Sequence, residues 1–249
     1  MTTLKKEKIK LYAKQLRLLT FNNYDEVIRQ LPNDATYEDF LILIMNEELE
    51  ERSSSGIQRR IKSAKFPVLK SIDEFDSSRL EHVSEAKITS LACCDFIKSK
   101  QNIVMIGNPG SGKTHLATAL GINACRAGYK VKFYTAVNLA AELAEASQAA
   151  RLTRFEKILA SVDLLIVDEL SYMTFNRYQS EMLFQVISER SERASVIITT
   201  NLEFSQWTQL FENEIMIAAM VDRLTYRSHI LDMNCTSSYR INNHERSIS

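Results

Sequence analysis

Up to residue 65, apolar residues recur every three to four positions; from residue 103 onward they gather in short unbroken runs separated by amphipathic stretches. The first pattern predicts helices, the second buried strands alternating with helices. Ile9, Tyr12, Leu16 and Leu19 keep helical spacing, and the turn signal Leu31-Pro32-Asn33-Asp34 precedes a second helix expected to start near Thr36, with Glu38 and Asp39 in its first turn. Residues 1–65 therefore read as a small all-helical domain. Within it, Ser53-Ser54-Ser55-Gly56 either interrupts the second helix or merely weakens it. From Pro67 to about Ser78 the chain reads as extended: proline excludes the helical region for the residue before it, and Asp73, Asp76, Ser77 and Ser78 favour turns. A linker over 66–80 then separates the helical part from a domain over 81–249.

In that domain the apolar runs 103–106, 131–134, 164–167, 196–200 and 230–233 alternate with helical stretches at 114–127, 139–159, 179–190 and 215–225. The alternation predicts an α/β fold, a parallel sheet covered by helices on both faces. No internal repeat or low-complexity tract interrupts it.

Composition narrows the function rather than the fold. With 45% hydrophobic and 25% charged residues over 249 positions, a collagen, a coiled-coil rod and a wholly disordered chain are excluded. Lys+Arg and Asp+Glu both number 31, so any nucleic-acid surface must come from local clustering. Two clusters exist: Lys5, Lys6, Lys8, Lys10 and Lys14 on the first helix, and Arg59, Arg60, Lys62 and Lys65 within the acid-free stretch 52–70. Such cations neutralise phosphates without reading sequence; the alternative is a solvated helix face. Tyr12, Phe21, Tyr37 and Phe40 sit at apolar-face spacing and are expected in the core, not as base-stacking platforms. The longest apolar runs, 164–167 and 215–221, fall far below the ~18 to 20 residues of a bilayer span, and the first residues are polar and lysine-rich. No membrane segment or signal peptide is expected. Cys93, Cys94, Cys125 and Cys235 form no C-x-x-C pair, and His82, His115, His229 and His244 no H-E-x-x-H spacing, so a reduced cytoplasmic protein without a zinc site is expected.

The chemistry concentrates where glycine and proline do. Four of the chain's nine Gly and Pro residues fall in Gly107-Asn108-Pro109-Gly110-Ser111-Gly112-Lys113-Thr114, which matches G-x-x-x-x-G-K-[ST] between a strand and a helix. Glycines let successive backbone N–H groups surround phosphates, Lys113 reaches the β- and γ-phosphates, and the Thr114 hydroxyl ligates Mg²⁺. Some fifty residues on, Leu164-Leu165-Ile166-Val167-Asp168-Glu169 is a strand ending in two carboxylates, expected on a neighbouring parallel strand. Asp168 is then the Mg²⁺ partner and Glu169 polarises an attacking water, which favours hydrolysis over phosphate transfer to a bound hydroxyl. The bland alternative is an acidic turn closing a strand. Asn201, ending the run 196–200, is placed to hold the water or the γ-phosphate, unless it merely stops the strand. Arg223 and Arg227 share one helix face, with an ion pair to Asp222 as the alternative to an arginine acting in trans.

The run G-N-P-G-S-G-K-T-H-L-A at 107–117, L-L-I-V-D-E-L at 164–170, T-T-N-L at 199–202 followed by Trp207, D-R-L at 222–224 and S-Y-R at 238–240 resemble the IstB-like ATP-binding proteins. These are transposition helper ATPases of insertion sequences, near relatives of the DnaC helicase loaders. The likeness extends to Tyr37-Glu38-Asp39-Phe40-Leu41, Phe66-Pro67 and Glu74-Phe75-Asp76, and so spans nearly the whole chain. It implies an AAA+ fold of the initiator branch, with ATP and Mg²⁺ as cofactors and His115 joining residues 107–114 in binding the nucleotide. It further implies ATP-dependent self-assembly on duplex DNA and delivery of that DNA to a cognate transposase. Asn201 resembles the sensor asparagine and Arg223 the arginine finger, with Arg227 close by. The stretch 138–159 resembles the extra helix of the initiator branch. Little chain follows Met233 for a helical lid, and Arg240 is the late candidate for a lid arginine. A DnaC-like helicase loader is the alternative on the same fold, and a P-loop small-molecule kinase a more distant one.

Overall fold

Five strands, the central three of them buried at every position, explain why the second half of the chain reads as short hydrophobic runs. In a computed structural model, which describes residues 3–170, 175–209 and 214–235, these are β1 (Asn102–Ile106), β2 (Val131–Thr135), β3 (Leu164–Asp168), β4 (Ser195–Thr200) and β5 (Ser228–Asp232). They pair in parallel in the order β2-β3-β4-β1-β5. The described helices are α1 (Thr3–Leu16), α2 (Tyr24–Gln30), α3 (Tyr37–Ala64), α4 (Glu85–Ala92), α5 (Asp95–Lys98), α6 (Lys113–Arg126), α7 (Ala136–Gln148), α8 (Leu152–Ala160), α9 (Arg177–Arg193) and α10 (Glu214–Tyr226). None of them is long and apolar enough to cross a membrane.

The period-2 geometry of a strand sends alternate residues to opposite layers. Leu164 and Ile166 of β3 join Ile103, Met105, Phe133 and Leu120 of α6 on one face; Leu165 and Val167 join Ile198, Leu139 of α7 and Leu183 of α9 on the other. Each of these side chains is at most 5% exposed, and each contributes about 1.5–3 kcal/mol relative to an exposed position.

The chain folds as two compact units, Met1–Arg59 and Arg60–Ser249, so the division falls inside α3 and ahead of the expected linker at 66–80. Helix α3 passes through Ser53-Ser54-Ser55-Gly56 without a break: the Ser55 hydroxyl donates to Glu51 (3.0 Å) and Arg59 Nε donates to the Ser55 carbonyl (3.2 Å), so the helix-weakening residues find partners along it. The segment expected as a linker lies on the sheet's own core, through Phe66, Ile72 and Phe75. Phe66 meets Phe133 of β2 edge to face, with ring centroids 6.1 Å apart.

The first unit has a small core, Tyr24, Val27 and Ile44, flanked by Ile9, Phe21, Phe40 and Leu43. It is too small to take in Tyr12 and Tyr37, which are 48% and 89% exposed instead of buried. A buried charge in it, Glu48, accepts the Thr20 N–H and hydroxyl and Arg52 Nε, at 3.0, 2.7 and 2.7 Å. Burial pushes its pKa up, but those three donors together hold it below the usual value.

The stretch 139–159 is two helices rather than one. Ala150 takes a left-handed backbone (φ 53°), and the chain turns there between α7 and α8. Helices α4 and α5, unanticipated, pack Ile88, Leu91, Phe96 and Ile97 against the first face of the sheet.

Candidate nucleotide and metal site

The phosphate-loop motif leaves β1 at the C-terminal edge of the sheet and enters α6, the position at which parallel α/β sheets bind ligands. Gly112 caps α6 with φ 91°, a backbone that side chains rarely adopt, and a Cβ there would fall 2.9 Å from the Phe75 ring. At Gly107 a Cβ would fall 2.6 Å from the Met233 carbonyl carbon and oxygen, so the loop runs hard against the exit of β5. Asn108 N–H donates to Asn234 Oδ1 (3.1 Å), and Ser111 is fully buried. Pro109 and Gly110 form the loop's crown, with Gly110 at φ 80°. Lys113 folds back over the loop, its Nζ donating to the Gly107 and Asn108 carbonyls at 2.6 and 2.8 Å. A turn of consecutive N–H groups opening a helix N-terminus is a ready receptor for phosphate.

The two carboxylates stand differently from one another. Asp168 is 3% exposed at the tip of β3, and Glu169, the next residue, is exposed. Strand β3 is not β1's neighbour as expected: β4 lies between them and contributes Thr199. The Thr199 hydroxyl accepts the Glu169 N–H (2.9 Å) and donates to Asp168, while the Thr114 hydroxyl lies 3.0 Å from both Asp168 oxygens. Burial raises the Asp168 pKa, and the two hydroxyls and Lys113 work against that rise. A carboxylate disfavoured as an anion beside a hydroxyl oxygen is an oxygen-only donor set that suits Mg²⁺, which keeps few protein ligands and shares itself with phosphates. Glu169 has φ 59°, which turns its side chain out of the line of the strand. Asn201 follows β4 at the same edge.

Other expected residues stand elsewhere. His115 Nε2 lies 3.0 Å from the Ser71 carbonyl and its ring meets Phe75 edge to face at 5.3 Å, so it faces the segment 71–75. Arg223 pairs with Glu192 (Nε to Oε1, 3.1 Å), not Asp222, and lies over Phe184 at 5.8 Å. Arg227 lies over Tyr226, and its carbonyl accepts the Asn102 N–H at the N-terminal start of β1. That edge is about 16 Å from the phosphate loop, the length of five strand residues. Both arginines line a cavity of about 400 Å³ there with Lys100 and Glu192.

Of the basic candidates, Lys6 is paired with Asp25 (2.7 Å), Lys8 lies over Tyr12 (5.7 Å) and Arg60 Nε donates to the Cys125 carbonyl (2.7 Å). Lys65 follows the last residue of α3 with φ 62°. Lys5, Lys10, Lys14, Arg59 and Lys62 are exposed. Arg240 and the S-Y-R motif lie outside the described residues. Sequence assigned no role to Thr199, which stands in T-T-N-L and reads as a further β-branched strand residue, or to Asn234, a polar residue after a strand.

Comparison with known proteins fits this geometry. The ATP-binding protein of insertion sequence IS5376 from Geobacillus stearothermophilus is 36% identical over 209 residues, 84% of this chain and 83% of that one. The ATP-binding protein of insertion sequence IS21 from Pseudomonas aeruginosa is 34% identical, over 84% and 78% of the two chains. Among solved structures, DnaI is similar with a TM-score of 0.54 at 16% identity, over 76% of this chain and 99% of that one. AMPPCP-bound DnaA from Aquifex aeolicus gives 0.55 at 17% identity, over 74% of this chain and only 56% of that longer protein. The sheet and its helices thus share the fold of these two structures, and a small helical region precedes them in the chain. The family described as IstB-like ATP binding protein matches residues 11–247, and with these relatives the chain belongs to that family.

Proposed function

We propose that this protein is a Mg²⁺-dependent, DNA-stimulated ATPase that assembles with itself on duplex DNA and delivers that DNA to its cognate transposase in the cytoplasm. The observation that carries the ATPase reading is the convergence of the Thr114 and Thr199 hydroxyls on buried Asp168, with exposed Glu169 next along the chain. In this reading the backbone N–H groups of 107–114 hold the phosphates, and Lys113 swings from the loop carbonyls to the β- and γ-phosphates. Thr114 and Asp168 hold Mg²⁺, which when bound neutralises phosphate charge. Glu169 orients and polarises the attacking water, and Asn201 contacts the γ-phosphate from the tip of β4. A kinase acting on a bound hydroxyl would have no use for Glu169. Glu169→Gln should keep nucleotide affinity while stopping turnover, because the amide keeps the shape and loses the basicity. ATP hydrolysis by the Gln variant at the parent rate would move water activation to another residue.

The DNA part of the reading is supported by relatives from insertion sequences and by the exposed lysines of α1. Replacing Lys5, Lys10 and Lys14 together by glutamine should flatten the dependence of duplex affinity on salt by about 0.9 unit per lost phosphate contact in the log–log slope. An unaltered slope would assign those lysines to a solvated face. The likeness to the DnaC helicase loader favours a second reading, a loader of a hexameric helicase. Relatives at 34–36% identity weigh more than a structural likeness at 16%, and co-assembly assays with a transposase and with a replicative helicase separate the two.

A further inference from the structure

Arg223 lies a strand length from the phosphate loop of its own chain, so a γ-phosphate within its reach belongs to another copy. An arginine side chain is long and loses much rotational freedom when it is fixed, and a cation acts best on a transition state when it is already oriented. The backbone here is anchored. The next residue, Leu224, is fully buried and shares a core with Ile217 and Met220 of α10 and with Leu183, Val186 and Ile187 of α9. Helix α9 also supplies the two groups that touch the guanidinium. Glu192 Oε1 lies 3.1 Å from Arg223 Nε, and the guanidinium carbon lies 5.8 Å from the centre of the Phe184 ring.

The two contacts act on different parts of the group. The carboxylate approaches from the Nε side, which restrains rotation of the stem, and Nη1 and Nη2 meet no acceptor among the described residues. The half-buried Phe184 ring lies against one face of the guanidinium plane and restrains its tilt. With one side paired and one face covered, the edge that remains is the terminal Nη1 and Nη2 pair, an end-on fork that takes two phosphate oxygens at once. The ion pair itself is open to solvent, its side chains 42% and 58% exposed, so it adds little to the stability of the fold. Lys100, Asp222 and Arg227 border the same cavity as Arg223 and Glu192, so three cations stand against two carboxylates and a phosphate is still attracted.

We infer that Glu192 and Phe184 are positioning residues for Arg223, holding its terminal nitrogens outward for the γ-phosphate bound by a neighbouring copy. That role rests on the ATPase reading above, with Arg223 acting in trans. A chain carrying Glu192→Ala and Phe184→Leu together, assembled on duplex DNA with saturating ATP and Mg²⁺, should turn over about tenfold more slowly at unchanged ATP affinity. The same two substitutions placed in Arg223→Ala should add no further loss, because both act through that guanidinium. Adding Lys113→Ala protein should raise turnover per double-variant chain toward the parent rate, since Lys113→Ala chains present a correctly held Arg223 to their neighbours. Such recovery also shows that the double variant keeps its own phosphate loop and fold. Turnover of the double variant at or above the parent rate, with Arg223→Ala slow, overturns the positioning role and leaves the trans reading standing. A further loss in the Arg223→Ala background, or no recovery on mixing where Arg223→Ala does recover, places the effect in the variant chain's own site or fold and overturns the role too. Arg223→Ala turning over at the parent rate removes the trans reading, and the positioning role with it.

Discussion

ATP turnover by Arg223→Ala should fall about 10³- to 10⁵-fold in the assembled protein while nucleotide affinity of the isolated chain stays unchanged. The reason is geometric. Arg223 stands at the N-terminal edge of the sheet, a strand length from the phosphate loop, and its partners there are Glu192 and Phe184. It is out of reach of a γ-phosphate bound to its own chain, but it is exposed on a surface that a neighbouring copy can meet. An arginine supplied in trans stabilises charge that develops only in the transition state, so its loss appears in rate and not in affinity. Mixing Arg223→Ala with Lys113→Ala protein should restore part of the turnover, because one supplies an intact phosphate loop and the other an intact finger. Absence of recovery in co-assembled mixtures would return Arg223 to an ion-pair partner of Glu192, or pass the role to Arg227.

Lys113→Ala should weaken ATP binding by about 10²- to 10⁴-fold, read by filter retention or a fluorescent analogue. Two charge-assisted hydrogen bonds, to the β- and γ-phosphates, are each worth roughly 1.5–3 kcal/mol. In the structure the same ammonium bridges the Gly107 and Asn108 carbonyls, so the variant also loses a brace across the loop. Unchanged affinity would remove the phosphate-loop assignment altogether.

The sequence announced the parts of this site that follow from local rules and concealed those that depend on packing. Residues 107–114 were legible because a backbone that must turn inward demands glycine, and the strands because the central three are buried on both faces and the apolar residues of the edge strands β2 and β5 share their core. Strand order was not legible. Nothing in the run 164–169 tells that β4 separates it from β1, so Thr199, which ties Asp168 to Glu169, passed as one more β-branched strand residue. The break between α7 and α8 falls at Ala149 and Ala150, both good helix formers, and tertiary packing overrides their preference. Tyr12 and Tyr37 kept the spacing of a buried face, yet the first unit encloses too little volume to cover them. The segment 66–80 has the punctuation of a linker, but Phe66, Ile72 and Phe75 are apolar enough to hold it on the core.

Glu169 holds its φ of 59° at an expense of about 1–2 kcal/mol that a glycine would not incur. Glu169→Gly should therefore gain up to about 1 kcal/mol after allowing for glycine's freer unfolded chain, a rise of about 2–4 °C in the calorimetric melting midpoint, while hydrolysis is lost. A random library sorted first for heat resistance and then for turnover would enrich glycine here in the first sort and purge it in the second. If Glu169 activates the water as proposed, selection at this one codon opposes durability to work.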